Sequence, residues 1–119
     1  MLRDISEFHR KFGLGYDGPP RDLPKELSDL RIVRLLEESI EYADAHTGED
    51  RLDALVDIVY IALGSAYLHG YDFEEAWRRV HVANMAKERA PSADASKHGS
   101  AFDIVKPEGW TPPDLSDLV

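Results

Sequence analysis

Leu55-Val56-Asp57-Ile58-Val59-Tyr60-Ile61-Ala62-Leu63 is an apolar stretch in which Asp57 is the only charge. An ionised carboxylate set among apolar side chains is costly unless a cation or hydrogen-bond donors meet it. The preceding segment, Glu37-Glu38-Ser39-Ile40-Glu41, offers further carboxylates instead of a base. Acid facing acid is unstable in a core unless a divalent metal lies between the two. On this reading the chain is a metal–carboxylate helical bundle.

The flanking sequence supports helices throughout. Leu2, Ile5, Phe8 and Phe12 recur at helical spacing and predict a short amphipathic helix. Gly13, Gly15, Gly18, Pro19, Pro20 and Pro24 then break the pattern. A second helix is expected from an N-cap at Ser28 or Asp29 as far as His46, with Leu30, Val33, Leu36, Ile40 and Ala43 on its apolar side. Thr47-Gly48 reads as a helix stop. A third helix is expected from Glu49 to Leu68, with Gly70 as its C-terminal cap. Asp72 and Glu75 have capping-box spacing and open a fourth helix that should end near Arg89. After Pro91 the composition turns irregular. Residues 91–119 are expected to form a tail that packs on the bundle through Phe102, Ile104, Val105, Trp110 and Leu115.

No segment alternates with the period of a half-buried strand, so the expected class is all-α: one domain, 1–119, built as an antiparallel helical bundle of about four helices. The third helix is apolar almost all round (Leu52, Leu55, Val56, Val59, Tyr60, Leu63, Tyr67), which one short chain covers poorly. Completion by oligomerisation, as a homodimer or homotetramer, is the natural remedy.

Composition removes several function classes. With 23 acidic and 14 basic residues the net charge is −9, which disfavours a nucleic-acid or anionic-membrane surface. There is no cysteine, so disulfide and thiol chemistry are excluded. The N-terminus lacks an apolar signal core, and the charge-free run Ile58–Tyr71 is shorter than the ~20 residues of a membrane span. A cytoplasmic chain with neither a nucleic-acid nor a membrane partner is expected. A nucleotide remains compatible, because bound Mg²⁺ can bridge carboxylates to phosphates.

Glu37, Glu38 and Glu41 share one helical face, and Asp53 and Asp57 repeat the arrangement at i, i+4 on the next helix, with Asp50 a turn earlier. A hairpin turn at Thr47-Gly48 would bring Asp57 and Glu38 to similar heights. Such facing pairs make an all-oxygen site suited to Mg²⁺ or Mn²⁺. The plainer alternatives are a solvated glutamate face, and an Asp57 paired with Arg31, Arg34 or Arg78. Further on, His81, Asn84 and Lys87 follow one another at i+3, with Arg78 a turn earlier. A cation, an amide and an imidazole on one stripe suit phosphate oxygens, although Lys87 alone could simply complement a helix dipole. Phe8, Phe12 and Tyr16 could stack a base or serve as core contacts. There is no Gly-rich phosphate loop, no HExxH, and no E-x-x-H pair of the ferritin-like di-iron kind.

These acidic segments resemble the all-α NTP pyrophosphohydrolases, a superfamily that includes MazG-like proteins, dimeric dUTPases and phosphoribosyl-ATP pyrophosphohydrolases. Its signature is E-E-x-x-E on one helix and E-x-x-D on the next. Glu37-Glu38-Ser39-Ile40-Glu41 matches the first half, and Asp57 matches the final Asp. Glu7-Phe8-His9, Val80-His81-Val82-Ala83-Asn84-Met85-Ala86-Lys87 and the tail Val105-Lys106-Pro107-Glu108-Gly109-Trp110-Thr111-Pro112-Pro113-Asp114 are similar to small MazG-like proteins of bacteria and phages. One departure matters: the Glu of E-x-x-D falls at Ala54. Asp53 is adjacent but shorter, and rotated by about 100° around the helix.

The resemblance implies Mg²⁺-dependent hydrolysis of a nucleoside triphosphate between the α and β phosphates, with dUTP-like substrates among the candidates. Glu38, Glu41, Asp57 and Asp53 would be the metal ligands, with Mn²⁺ as a substitute ion. Glu37, Glu38 and Asp53 would take the catalytic roles, and His81, Asn84 and Lys87 would contact phosphates. Two other functions stay open: a metal- or nucleotide-binding module of the same fold with weakened catalysis, and a purely structural helical oligomer.

Overall fold

The computed structural model describes residues 1–119, and its class is all-α. Four helices follow one another: α1 Leu2–Lys11, α2 Lys25–Asp44, α3 Gly48–His69 and α4 Phe73–Met85. A two-residue antiparallel ribbon, β1 Glu88–Arg89 with β2 Ile104–Val105, and two short 3₁₀ turns complete the chain. The chain divides into two compact units, Met1–Phe73 with Val119, and Glu74–Leu118.

In the first unit α2 and α3 pack together across a short turn, and α1 packs on α3. The C-terminal cap of α3 is the one expected from its sequence, Gly70, whereas Thr47, read there only as part of a helix stop, is the N-cap of α3. Thr47 Oγ1 accepts the Asp50 N–H at 3.0 Å, and Gly70 adopts the left-handed conformation (φ 74°) that releases the chain from the helix. Helix α2 starts earlier than expected, at Lys25 and not beyond Ser28. Pro24, with φ −53° and ψ 143°, leads directly into the helix without a side-chain cap, and a Lys25–Asp29 ion pair spans its first turn. It ends at Asp44, because Ala45 is already extended.

The core of this unit is small: Ile5, Ala54, Ile61, Leu63, Ala66 and Leu68 are buried. With them lies His9, whose Nδ1–H donates to the Ile5 carbonyl at 2.8 Å. The Gly- and Pro-rich loop is tied to the C-terminal end of α3. Tyr16 N–H donates to the Tyr67 hydroxyl at 2.8 Å, and Arg21 Nε donates to the Leu68 carbonyl at 2.9 Å while stacking on the Tyr16 ring.

One expectation needs correction. Asp57 is half-buried, not enclosed, because the apolar residues around it radiate to different sides of the helix. Leu55, Val56 and Val59 are 44, 54 and 47 % exposed, and they border an apolar cleft of about 480 Å³ together with Met1, Ile5 and Leu63. By length and composition α3 is also long and apolar enough to cross a membrane, which the charge-free run alone did not indicate. It carries Asp53 and Asp57 within that length and packs against α1 and α2.

In the second unit α4 ends at Met85, short of the expected Arg89. The N–H groups of Ala86 and Lys87 turn back to the Ala83 and Asn84 carbonyls, after which Glu88 pairs with Val105 and Arg89 with Ile104. A strand of two residues is too short to show alternation in sequence, and its partner lies far along the chain. The tail packs on α4 through Trp110, whose Nε1–H donates to the Ala83 carbonyl at 2.7 Å. Arg79 adds bonds to Glu75 (2.8 Å), the Asp114 carbonyl (2.9 Å) and Asp117 (2.5 and 3.0 Å). Phe102 and Ile104, expected to pack, are exposed.

Candidate active site

The buried carboxylate of the first unit is Glu38, at 6 % exposure. Helix periodicity turns it inward and places Glu41 one turn further along α2, within side-chain hydrogen-bonding reach of it. One Glu38 oxygen, Oε1, stands 3.8 Å from Arg34 Nη2; the other, Oε2, is buried without any partner. The Glu38 carboxyl is pushed above the usual carboxylate range. Burial is the leading cause, followed by the hydrogen bond to Glu41 and the negative charges of Glu41 and Asp57, with Arg34 opposing.

Asp57 reaches this cluster from α3. It lines a cleft of about 390 Å³ shared with Phe8, His9, Arg31, Arg34 and Tyr60. None of the three arginines weighed as its partner pairs with it. Arg31 donates to Ser65 Oγ (3.0 Å) and to the Ile61 carbonyl (2.6 Å), Arg34 pairs with Glu37 and Glu38, and Arg78 pairs with Glu75. Burial, and then the charge of Arg34, lowers the basicity of Arg31. Gly64 makes room for this packing: a Cβ there would lie 2.6 Å from Arg31 Nη2 and 2.9 Å from His9 Cε1.

The other acidic candidates are placed differently. Glu37 is exposed and pairs with Arg34 across 3.7 Å, and Asp53 is exposed. Ala54, where the signature has Glu, is 2 % exposed. The structure therefore brings the charges of Glu41, which is exposed, and Asp57, which is half-buried, to bear on the buried Glu38, and leaves Glu37 and Asp53 exposed outside this set. No three Asp, Glu or His side chains converge closely enough to hold an ion as they stand. The donor set nevertheless fits a hard divalent cation. Three acids acting on one another around a buried oxygen that has no hydrogen-bond partner are a setting that Mg²⁺ or Mn²⁺ relieves.

In the second unit His81 and Asn84 are exposed on α4, while Lys87 lies two residues beyond the helix end and so does not continue its stripe. Asn84 and Lys87 still line one cleft of about 510 Å³, with Glu88 and Arg89 beside them. Of the N-terminal aromatics, Phe8 reaches the Asp57 cleft, 4.9 Å from Phe12 and edge-on to Tyr60 at 5.3 Å between ring centroids. Tyr16 is engaged in its loop, donating to the Pro19 carbonyl at 2.6 Å. The residues that sequence reasoning did not place in the site are Arg34, as the partner of Glu38, and His9, which is signalled by its place in Glu7-Phe8-His9 and by its i+4 position after Ile5 on the inner side of α1.

A helical hairpin presenting carboxylates from both arms defines a class, the all-α nucleotide pyrophosphohydrolases. Residues 5–84 match the phosphoribosyl-ATP pyrophosphohydrolase family model, and the chain belongs to that family. The matched region contains the α2 glutamates, Asp57, His81 and Asn84, and stops before Lys87. Among curated proteins no match is found.

Proposed function

We propose that this chain is a divalent-metal-dependent nucleoside triphosphate pyrophosphohydrolase, cleaving between the α and β phosphates to release a monophosphate and pyrophosphate. The observation that carries this reading is the buried, partnerless Glu38 Oε2 beside Glu41 and Asp57. A carboxylate in that setting is poorly stabilised by the protein alone and well suited to a cation or a transferable proton.

In this reading Glu38, Glu41 and Asp57 hold Mg²⁺, with Asp53 as an outlying ligand. The metal, when bound, supplies charge neutralisation at the phosphate oxygens and acidifies a coordinated water. Glu37, exposed on the same helix, takes a proton from the attacking water, helped by Asp53. Arg34 holds Glu38 in place while the site is empty of substrate and is free to turn to phosphate oxygens when one arrives. His81, Asn84 and Lys87 serve the phosphates, Asn84 by directional hydrogen bonds and Lys87 as a point charge. Residues 1–119 are read as one domain, and the cysteine-free composition suits a cytoplasmic setting.

A second copy of the chain covers the exposed apolar face of α3, giving a homodimer or homotetramer; light scattering across a concentration series measures this directly. The exposed Leu55, Val56 and Val59 support it.

The deciding experiment is pyrophosphate release from a panel of canonical and modified dNTPs and NTPs, dUTP included, with Mg²⁺, Mn²⁺ or EDTA. Metal-dependent release from one or a few nucleotides establishes the activity. A second reading, a nucleotide-binding module without turnover, is favoured by one observation: a buried alanine at position 54 in place of the signature glutamate. Nucleotide binding with silence across the panel would select it.

A further inference from the structure

The ribbon pairs Glu88 with Val105, so Lys87 and Lys106, the residues next to that pair, flank the same end of it. Like charges held close together across two strands are unfavourable. Here both ammonium groups also approach one aromatic ring, Lys87 Nζ at 5.1 Å and Lys106 Nζ at 5.0 Å from the Trp110 centroid. That ring is held at its edge by its own Nε1–H bond to the Ala83 carbonyl. Carboxylates are abundant in this chain, yet the ion pairs of the second unit join Arg78 and Arg79 to Glu75 and Asp117 and include neither lysine. Two cations beside one aromatic ring, in a protein of net charge −9, make a local positive patch.

We propose that Lys106 and Lys87, positioned by Trp110, form a two-cation clamp for a condensed phosphate, the pyrophosphate portion of a nucleotide substrate or pyrophosphate itself. The inference rests on the hydrolase reading for its ligand and extends it to a residue outside the matched segment 5–84. The indole ring attracts both ammonium groups weakly. A polyanion between them replaces mutual repulsion with charge-assisted hydrogen bonds. Asn84, which lines the same cleft as Lys87, adds an amide donor to the set. A single orthophosphate is too small in charge and span to engage both lysines fully, so the clamp favours condensed phosphates. Trp110 is a positioning residue; Lys106 is a binding residue.

The test is titration of inorganic pyrophosphate, and separately orthophosphate, into the full-length protein with and without Mg²⁺, followed by heat and by tryptophan fluorescence. Lys106→Ala should weaken pyrophosphate binding about tenfold, the loss of one charge-assisted contact, while Lys106→Arg keeps most of the affinity and orthophosphate binding changes little. Lys106→Gln guards against a folding defect in the alanine variant. Wild-type affinity in both Lys106→Ala and Lys106→Gln overturns the clamp, as does a wild-type protein that binds no pyrophosphate. Turnover is scored separately. Pyrophosphate bound through Lys106 without hydrolysis of any nucleotide removes the hydrolase reading and keeps the clamp. Turnover with an unchanged KM in Lys106→Ala removes the clamp and keeps the reading.

Discussion

Arg34 and Glu38 stand one helical turn apart, yet their charges meet across 3.8 Å through a single Glu38 oxygen, with the second oxygen buried and unmatched. The protein thus folds with a carboxyl held above its ordinary titration range. The sign of the linkage follows. A raised carboxyl pKa favours the folded state when Glu38 is protonated, so that contribution is full below the unfolded carboxylate pKa and is lost as pH rises through the folded value. Glu38→Gln, which cannot ionise, should therefore melt higher than wild type at neutral pH in EDTA, with the gap closing as pH falls into the carboxylate range. Thermal melts of both proteins from acid to neutral pH check this. Adding Mg²⁺ should raise the melting temperature of wild type only.

Asp57→Asn keeps shape and volume while removing the α3 charge from the cluster. It should lower metal-dependent turnover by about 100-fold or more with helical circular dichroism unchanged. Wild-type turnover in this variant would sink the assignment of Asp57.

Ala54→Glu places the signature glutamate in a fully buried position. Without metal it should destabilise the fold by about 1–3 kcal/mol through overpacking alone. If the site is one ligand short, Mg²⁺ should stabilise this variant more than it does wild type at equal concentration, reaching about 2.7 kcal/mol in the variant at a hundredfold excess over its own Kd. Melting with graded Mg²⁺ reads both effects.

Gly64→Ala tests how tightly α3 is packed beside the site. The clash would be with a guanidinium already pinned by Ser65 and Ile61 and with a buried imidazole, so neither can retreat easily. A loss of about 1–3 kcal/mol is expected in denaturant titration. A neutral outcome would mean that Arg31 leaves its pocket without consequence.

The tail carries an acid-sensitive latch. Hydrogen bonds from Arg78 first and Arg79 next hold the Glu75 carboxyl down at about 2. A depressed carboxyl stabilises the fold above its unfolded pKa, and the contribution disappears as pH falls from the ordinary carboxylate range toward that value. The protection of the amides of residues 103–118, corrected for the pH dependence of intrinsic exchange, should therefore fall on acidification. Arg79→Met should exchange fast already at neutral pH, with a smaller acid response.

Much of the fold could be read from local chemistry. Thr47 and Gly70 mark the ends of α3 because capping depends on residues next to one another, and the helical class followed from apolar spacing. The end of α4 was not readable in this way, since it is decided by pairing between Glu88–Arg89 and Ile104–Val105, far apart in the chain. The acidic cluster was legible as residue types, but not which acid was buried. Apolar neighbours of Asp57 on the chain face several directions once wound into a helix, whereas Glu38 sits among charges in sequence and turns inward in space. The lysine pair on Trp110 depends on strand register, for which the sequence carries no local signal.

Glu38 is also where selection on folding and selection on chemistry diverge. Any search that rewards a hotter melting point, whether directed evolution or automated redesign, would replace this acid among its first choices and lose the site without any visible damage to the fold. A glutamate retained at position 38 in laboratory lineages screened for turnover, and shed in those screened for heat resistance, would be the record of that conflict.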